Sequence, residues 1–236
     1  MRQLLAVVAA CLTLGMSGGV SAQDASGSRA ATGWEAVGRL NISGRNMCTG
    51  ALIAPNLVLT AAHCLYDPRS GRAVNPNSIR FEAGLNGRYA KAARQVVKAV
   101  VHPQYVFRPV GDAQVGHDLA VLRLDRPIST EHIQPFATSS QAARGDAVGV
   151  MSYSYEHRDR PNWQQPCHVL ARKGKTMVMT CRVEYGASGS PVFEVSPGHP
   201  PRLVSVISAK AAMGNQRVSI GTAIDNSLWD LVQRAG

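Results

Sequence analysis

Twelve short apolar runs, each closed by turn residues, limit what this chain can fold into more than any other feature. Six come first: Ala36–Ile42, Met47–Ile53, Leu57–Thr60, Ile79–Leu85, Gln95–His102 and Leu119–Leu124. Six follow: Ala147–Tyr153, Cys167–Ala171, Thr176–Arg182, Pro191–Glu194, Leu203–Ala209 and Arg217–Ala223. Many short strands at close spacing are the pattern of an all-β sandwich or barrel. The stretch between the two sets, about 126–146, holds Pro127 and Pro135 and reads as a connector over the surface. Equal strand counts suggest a duplicated architecture, although no sequence repeat accompanies them. Helical spacing occurs in Ile224–Ala235, where Ile224, Leu228, Trp229, Leu231 and Val232 follow one face. That segment reads as a closing amphipathic helix at about 226–236.

The N-terminus addresses the compartment. Met1-Arg2 precedes an apolar run from Leu4 to Met16, and small residues end at Val20-Ser21-Ala22. This is the layout of a secretory signal peptide over residues 1–22, with cleavage after Ala22. The run is shorter than the roughly 20 residues of a membrane span, so no stable membrane insertion is expected. Val8-Ala9-Ala10-Cys11 also resembles a lipobox, but the apolar run continues past Cys11 and favours the cleaved peptide. Residues 23–33 are small and polar and read as a flexible entry segment. The expected location is outside the cytoplasm, extracellular or periplasmic.

Cys48, Cys64, Cys167 and Cys181 remain after the signal. Four cysteines in an exported chain most simply form two disulfides, and three pairings are open. The nearest-neighbour pairing would give each half its own staple, worth about 3 kcal/mol per loop of about 15 residues. The formal charge of +10 is scattered along the chain, and aromatic residues make up only 6%. Neither supports a nucleic-acid partner. The mature chain of about 214 residues could form one large domain or two small ones.

Three fragments carry chemistry. Thr60-Ala61-Ala62-His63-Cys64 puts a histidine at the end of an apolar strand, where an imidazole can be held to take a proton from a hydroxyl. His117-Asp118-Leu119-Ala120-Val121-Leu122 places a carboxylate just before a buried strand, where it needs a compensating donor such as a ring N–H. Gly186-Ala187-Ser188-Gly189-Ser190-Pro191 flanks a serine with glycines, which permits a tight turn with Ser188 at its tip. Such a turn can aim the Gly186 and Ser188 N–H groups at one point, as an oxyanion hole does. No His-Glu-x-x-His or paired Cys-x-x-Cys spacing is present, so no catalytic metal or cofactor is expected.

Together the fragments resemble the chymotrypsin-like (trypsin-fold) serine peptidases, and Gly-Ala-Ser-Gly-Ser-Pro is similar to the bacterial branch containing the glutamyl endopeptidases (the V8-like group). The resemblance covers about residues 34–225. It implies two six-stranded antiparallel β-barrels packed face to face, about 34–125 and 147–225, with the active site in the cleft between them. It implies a triad of Ser188 as nucleophile, His63 as general base and then acid, and Asp118 orienting it, with Gly186 and Ser188 as oxyanion donors. It also implies a bridge from Cys48 to Cys64, since Cys48-Thr49-Gly50 resembles the strand whose cysteine bonds the one after the histidine.

The chain departs from the digestive members. Ala187 stands where they carry the aspartate that pairs with a new N-terminus, and no Ile-Val-Gly-Gly stretch follows a cleavable basic residue. The pocket is therefore expected to form without that switch. By the resemblance, Arg182 lies at the floor of the primary pocket, and Ser208 and Lys210 lie on the strand that pairs with substrate. No aspartate stands at the floor, which disfavours cleavage after Lys or Arg. Two cations would favour an acidic P1 residue, although Ile207 replaces the histidine of glutamyl-specific relatives. The expected activity is that of a secreted, monomeric serine endopeptidase acting on proteins or peptides. The rival is a catalytically idle, basic binding or adhesion module on the same fold. An esterase would share the same chemistry.

Overall fold

The computed structural model describes residues 33–107, 112–195 and 200–236, so the signal peptide and Cys11 lie outside the described residues. The first barrel comprises β1 (Val37–Ile42), β2 (Asn46–Ala54), β3 (Leu57–Thr60), β4 (Ile79–Ala83), β5 (Ala92–Val101) and β6 (Ala120–Leu124). The second comprises β7 (Ala147–Ser152), β8 (Asn162–Lys173), β9 (Thr176–Met179), β10 (Pro191–Glu194), β11 (Arg202–Met213) and β12 (Gln216–Ala223). A helical turn, α1 (Asp112–Val115), precedes β6, and α2 (Ser227–Ala235) closes the chain. Each barrel is closed and antiparallel. The order is β1-β2-β3-β6-β5-β4 in the first and β7-β8-β9-β12-β11-β10 in the second. The two orders are the same, which is the duplicated architecture that the strand counts suggested.

β3 is buried at all four positions and β6 at every position except Arg123. Strands covered on both faces read as continuous apolar runs, because there is no solvent face to make them alternate. Leu59 and Leu122 are wholly buried, and each contributes about 2 kcal/mol by its removal from water. Their register matters for the site: Leu59 lies opposite Val121 and Thr60 opposite Ala120. The residues just after β3 and just before β6 therefore emerge side by side at one end of the first barrel.

Several boundaries differ from the sequence reading. β8 begins at Asn162 rather than Cys167; Trp163 is the single large apolar residue among Asn162–Pro166, too little to mark a strand by alternation. β11 runs on to Met213 and pairs with β12 down to Gln216, as a ribbon whose outer residues are largely exposed. With no core face, that ribbon shows no alternation. The closing helix runs Ser227–Ala235, within a residue of its expected start; Ile224 stays outside it, because its N–H donates to Val204 O (2.9 Å). Leu228, Leu231 and Ala235 form the buried face of α2, against β5 and β6 of the first barrel.

Candidate active site

His63 lies in a single 3₁₀ turn, Ala62–Leu65, directly after β3. Asp118 lies two residues before β6, and the β3–β6 register brings the two together. The His63 N–H donates to Asp118 Oδ1 (2.8 Å), and ring Nδ1 lies 2.7 Å from Asp118 Oδ2. Two contacts at once fix both where the residue sits and how its ring is turned. Asp118 is 2% exposed, so its carboxylate depends on these donors rather than on water. A third donor comes from the second barrel: the Ser208 hydroxyl donates to Asp118 Oδ2 at 2.5 Å. Burial alone would lower the His63 pKa, but the Asp118 charge and hydrogen bond outweigh it and raise it above the ordinary imidazole value.

Ser208 stands at a register shift of β11, between Ile207 and Ala209. Such a bulge redirects a side chain out of the regular ladder, here toward Asp118. The sequence reading placed Ser208 on the substrate-binding strand. It does line the cavity beside Ser188, but its hydroxyl is held by the carboxylate.

Ser188 lies in the loop between β9 and β10, and its peptide is tied to both barrels. Ser188 O accepts the Thr49 N–H of β2 (2.8 Å), and the Gly189 N–H donates to Ile207 O of β11 (2.8 Å). Gly186 and Gly189 both have positive φ, 96° and 79°. A Cβ on Gly189 would come within 2.1 Å of Thr60 Oγ1 and 2.3 Å of Thr49 O, so only glycine lets the loop approach the first barrel this closely. Among the described residues, no protein acceptor takes the Gly186 or Ser188 N–H. Two N–H groups without partners on one tight turn are the features of a site for a developing negative oxygen.

Thr49 is a residue whose part the sequence reading missed. It is wholly buried, and its hydroxyl accepts the Tyr153 N–H (3.0 Å) and donates to Tyr153 O (3.2 Å), with Gly186 O at 3.4 Å. Thr60 Oγ1 in turn donates to Thr49 O (2.8 Å). A buried threonine inside a β-strand reads as ordinary strand propensity, so only the inter-barrel packing reveals this bridge. Cys48 bonds Cys64 and Cys167 bonds Cys181, the nearest-neighbour pairing. The first of these disulfides joins β2 to the His63 turn.

Two cavities meet at Ser188. One, of about 300 Å³, is lined by Val183, Glu184, Tyr185, Ser208 and Lys210 with Ser188. The other is lined by Met47, the Cys48–Cys64 bridge, His63 and Tyr155 with Ser188. Arg182 lines an adjoining cavity instead, together with Glu184, Lys210 and Arg217. Lys210 Nζ is 3.3 Å from Glu184 Oε2 and 3.7 Å from the centre of the Tyr185 ring, and Arg217 is 3.7 Å from Glu184 Oε1. Ala187 is buried. Among the described residues, Cys48, His63 and Cys64 come within metal-ligand range of one another, but both sulfurs are in the disulfide and neither is a thiolate donor.

Two closed six-stranded barrels, with a histidine–carboxylate pair and a glycine-flanked serine at their junction, define the chymotrypsin-like class of serine peptidases. The family model described as Trypsin matches residues 25–228, and the chain belongs to that family. It is 25% identical to a glutamyl endopeptidase of Bacillus licheniformis over 191 residues, covering 78% of this chain and 57% of that protein. It is 26% identical to a cercarial protease of Schistosoma mansoni over 160 residues, covering 63% of this chain and 58% of that protein. The chain thus spans less than two thirds of the length of these curated relatives. Among solved structures, a Glu endopeptidase in complex with MPD superposes with a TM-score of 0.70 at 19% identity, covering 86% of this chain and 91% of that one. A thermostable serine protease AL20 from an extremophilic microorganism gives 0.68 at 17%, covering 86% and 97%. These two show the fold. Among the described residues, no helix is long and apolar enough to cross a membrane.

Proposed function

We propose that this chain is an exported serine endopeptidase that cleaves peptide bonds through an acyl-enzyme on Ser188. The observation that carries the reading is that His63, held by Asp118, and Ser188 line one cavity, beside two N–H groups with no protein acceptor among the described residues. His63 Nε2 takes the Ser188 proton as Oγ attacks the scissile carbonyl carbon, and Asp118 fixes the ring with its Nδ1–H and stabilises the imidazolium. The carbonyl oxygen becomes an oxyanion held by the Gly186 and Ser188 N–H groups. His63 then gives its proton to the leaving amine, and water repeats the sequence on the ester. Asp118, accepting from Ser208 as well as His63, remains the ring's anchor throughout.

At P1 the proposal is an acidic side chain rather than lysine or arginine. Around the two adjoining cavities next to Ser188 stand three cations, Arg182, Lys210 and Arg217, against one carboxylate, Glu184. Glu184 already engages Lys210 and Arg217, so the preference is moderate rather than absolute. The similarity to proteins named glutamyl endopeptidase supports the same reading. With Ala187 where an activating aspartate would stand, the pocket is proposed to need no newly cut N-terminus. Disulfides and the N-terminal sequence support export, to the periplasm or beyond the cell. Digestion of a peptide library tests this function: cuts enriched after Glu or Asp and lost in Ser188→Ala support it. Enrichment after Lys or Arg overturns the P1 assignment, and no cleavage by folded protein leaves the idle binding module.

A further inference from the structure

The cavity holding His63 continues away from Ser188. Asn46, Met47 and Tyr155 wall it and also wall a neighbouring cleft, which adds Arg39, Arg45 and Arg158 and no acidic residue. The side of the cleft on which this path lies follows from proton transfer. His63 must reach the leaving amine, and it lines this cavity but not the one containing Lys210. The path therefore receives the peptide on the leaving-group side of the scissile bond.

The three arginines are not equivalent. Arg39 is committed: its Nε is 2.7 Å from Glu82 Oε2, and its Nη1 donates to Arg158 O (2.8 Å). Arg158 lies over the Tyr155 ring, 4.8 Å from its centre, which orders the guanidinium without neutralising it. Arg45 is exposed, in the turn just before β2, and among the described residues no carboxylate pairs with it or with Arg158. Thr49, whose N–H meets Ser188 O, is three strand positions beyond Asn46, about 10 Å along β2. An extended substrate covers that distance in about three residues.

We propose that this path is a leaving-side subsite selecting an acidic side chain at the second or third residue after the cut, with a small or apolar residue first, against Met47 and Tyr155. Arg45 and Arg158 supply the charge, and guanidinium groups suit a carboxylate because they can donate two parallel hydrogen bonds to it. The inference rests on the endopeptidase reading above and extends it to the other half of the substrate.

Acyl transfer tests it apart from that reading. The enzyme is acylated with an activated ester carrying its preferred P1 residue. Water then competes with H-Ala-Ala-Glu-NH2, H-Ala-Glu-Ala-NH2 or their lysine counterparts for the acyl-enzyme. The expected result is about three- to tenfold better capture by one of the Glu peptides over its Lys counterpart, reduced in about 0.5 M NaCl. The preference disappears in Arg45→Ala/Arg158→Ala and reverses in Arg45→Glu/Arg158→Glu, while ester hydrolysis without added peptide is unchanged. Equal capture of Glu and Lys peptides by the wild type, or a preference that survives Arg45→Ala/Arg158→Ala, overturns the subsite while the enzyme stands. Failure of the ester to acylate Ser188 at all overturns the endopeptidase reading, and the subsite falls with it.

Discussion

Thr49→Val isolates the bridge between the barrels, because valine keeps the shape and removes the hydroxyl. The Tyr153 N–H loses its acceptor inside a residue that is wholly buried. An orphaned buried donor costs about 1–3 kcal/mol. For a domain of this size each kcal/mol lowers Tm by roughly 2–4 °C, so the expected fall is about 2–12 °C. Activity should fall separately. The same hydroxyl lies 3.4 Å from Gly186 O, in the residue whose N–H is proposed as one oxyanion donor. Outright loss of one such donor costs about 10²–10³ in kcat, and a shifted one should cost less, about tenfold. KM should change little, since no pocket residue is altered. Thermal unfolding and ester hydrolysis by wild type, Thr49→Val and Thr49→Ser give the answer. Thr49→Ser retains the hydroxyl and should restore both properties to near wild type. A valine variant with wild-type Tm and kcat, or a serine variant as impaired as the valine one, would show that the Thr49 hydroxyl does not hold this junction.

Other consequences follow from single contacts. Asp118→Asn should lower kcat by about 10⁴ with Tm little changed, because the ring loses its correct tautomer. In the wild type, kcat/KM should rise with pH through a midpoint above the ordinary histidine value of 6.5, since only neutral His63 accepts the serine proton. A midpoint below 6.5 would contradict the Asp118 contact. His102 is buried behind the site, stacked on His117 at 4.7 Å. Burial first, then Lys175 and His117, lower its pKa to about 4, against a smaller opposing effect of Asp225. Between pH 6.5 and 4 the unfolded chain therefore binds a proton that the folded chain refuses, and stability falls as the pH falls, by about 2–3 kcal/mol in total. His102→Gln should flatten that part of a denaturation-versus-pH curve, and an unchanged slope would argue against it. Replacing both Cys48 and Cys64 by serine should cost about 3 kcal/mol from the lost loop constraint, measurable by denaturant unfolding.

The sequence was informative where one element fixes one contact and silent where two elements must meet. Leu57–Thr60 and Leu119–Leu124 are buried on both faces, so their apolar runs announced strands within about one residue of the observed ends. His63 and Asp118 could be selected because each adjoins such a run, and the β3–β6 register then leaves little freedom in how they meet. The Lys210–Met213 ribbon stayed hidden because exposed strands need no hydrophobic alternation. Thr49 stayed hidden because its partners, Tyr153 and Gly186, are 104 and 137 residues away in the chain. For Arg182 the sequence offers only its offset from the serine. The loop from Cys181 to Ser190 contains no strand, and counting along irregular backbone does not fix direction; Arg182 lines the cavity shared with Glu184, Lys210 and Arg217.

On this structure Ser188 is proposed as a nucleophile activated by His63. Intact-mass and peptide-level analysis of the folded protein treated with a fluorophosphonate measures this directly. One adduct per chain, located on Ser188, absent in Ser188→Ala and strongly slowed in His63→Ala, is the predicted result. Folded protein that takes up no label, or carries it on another residue, would rule out Ser188 as the activated nucleophile.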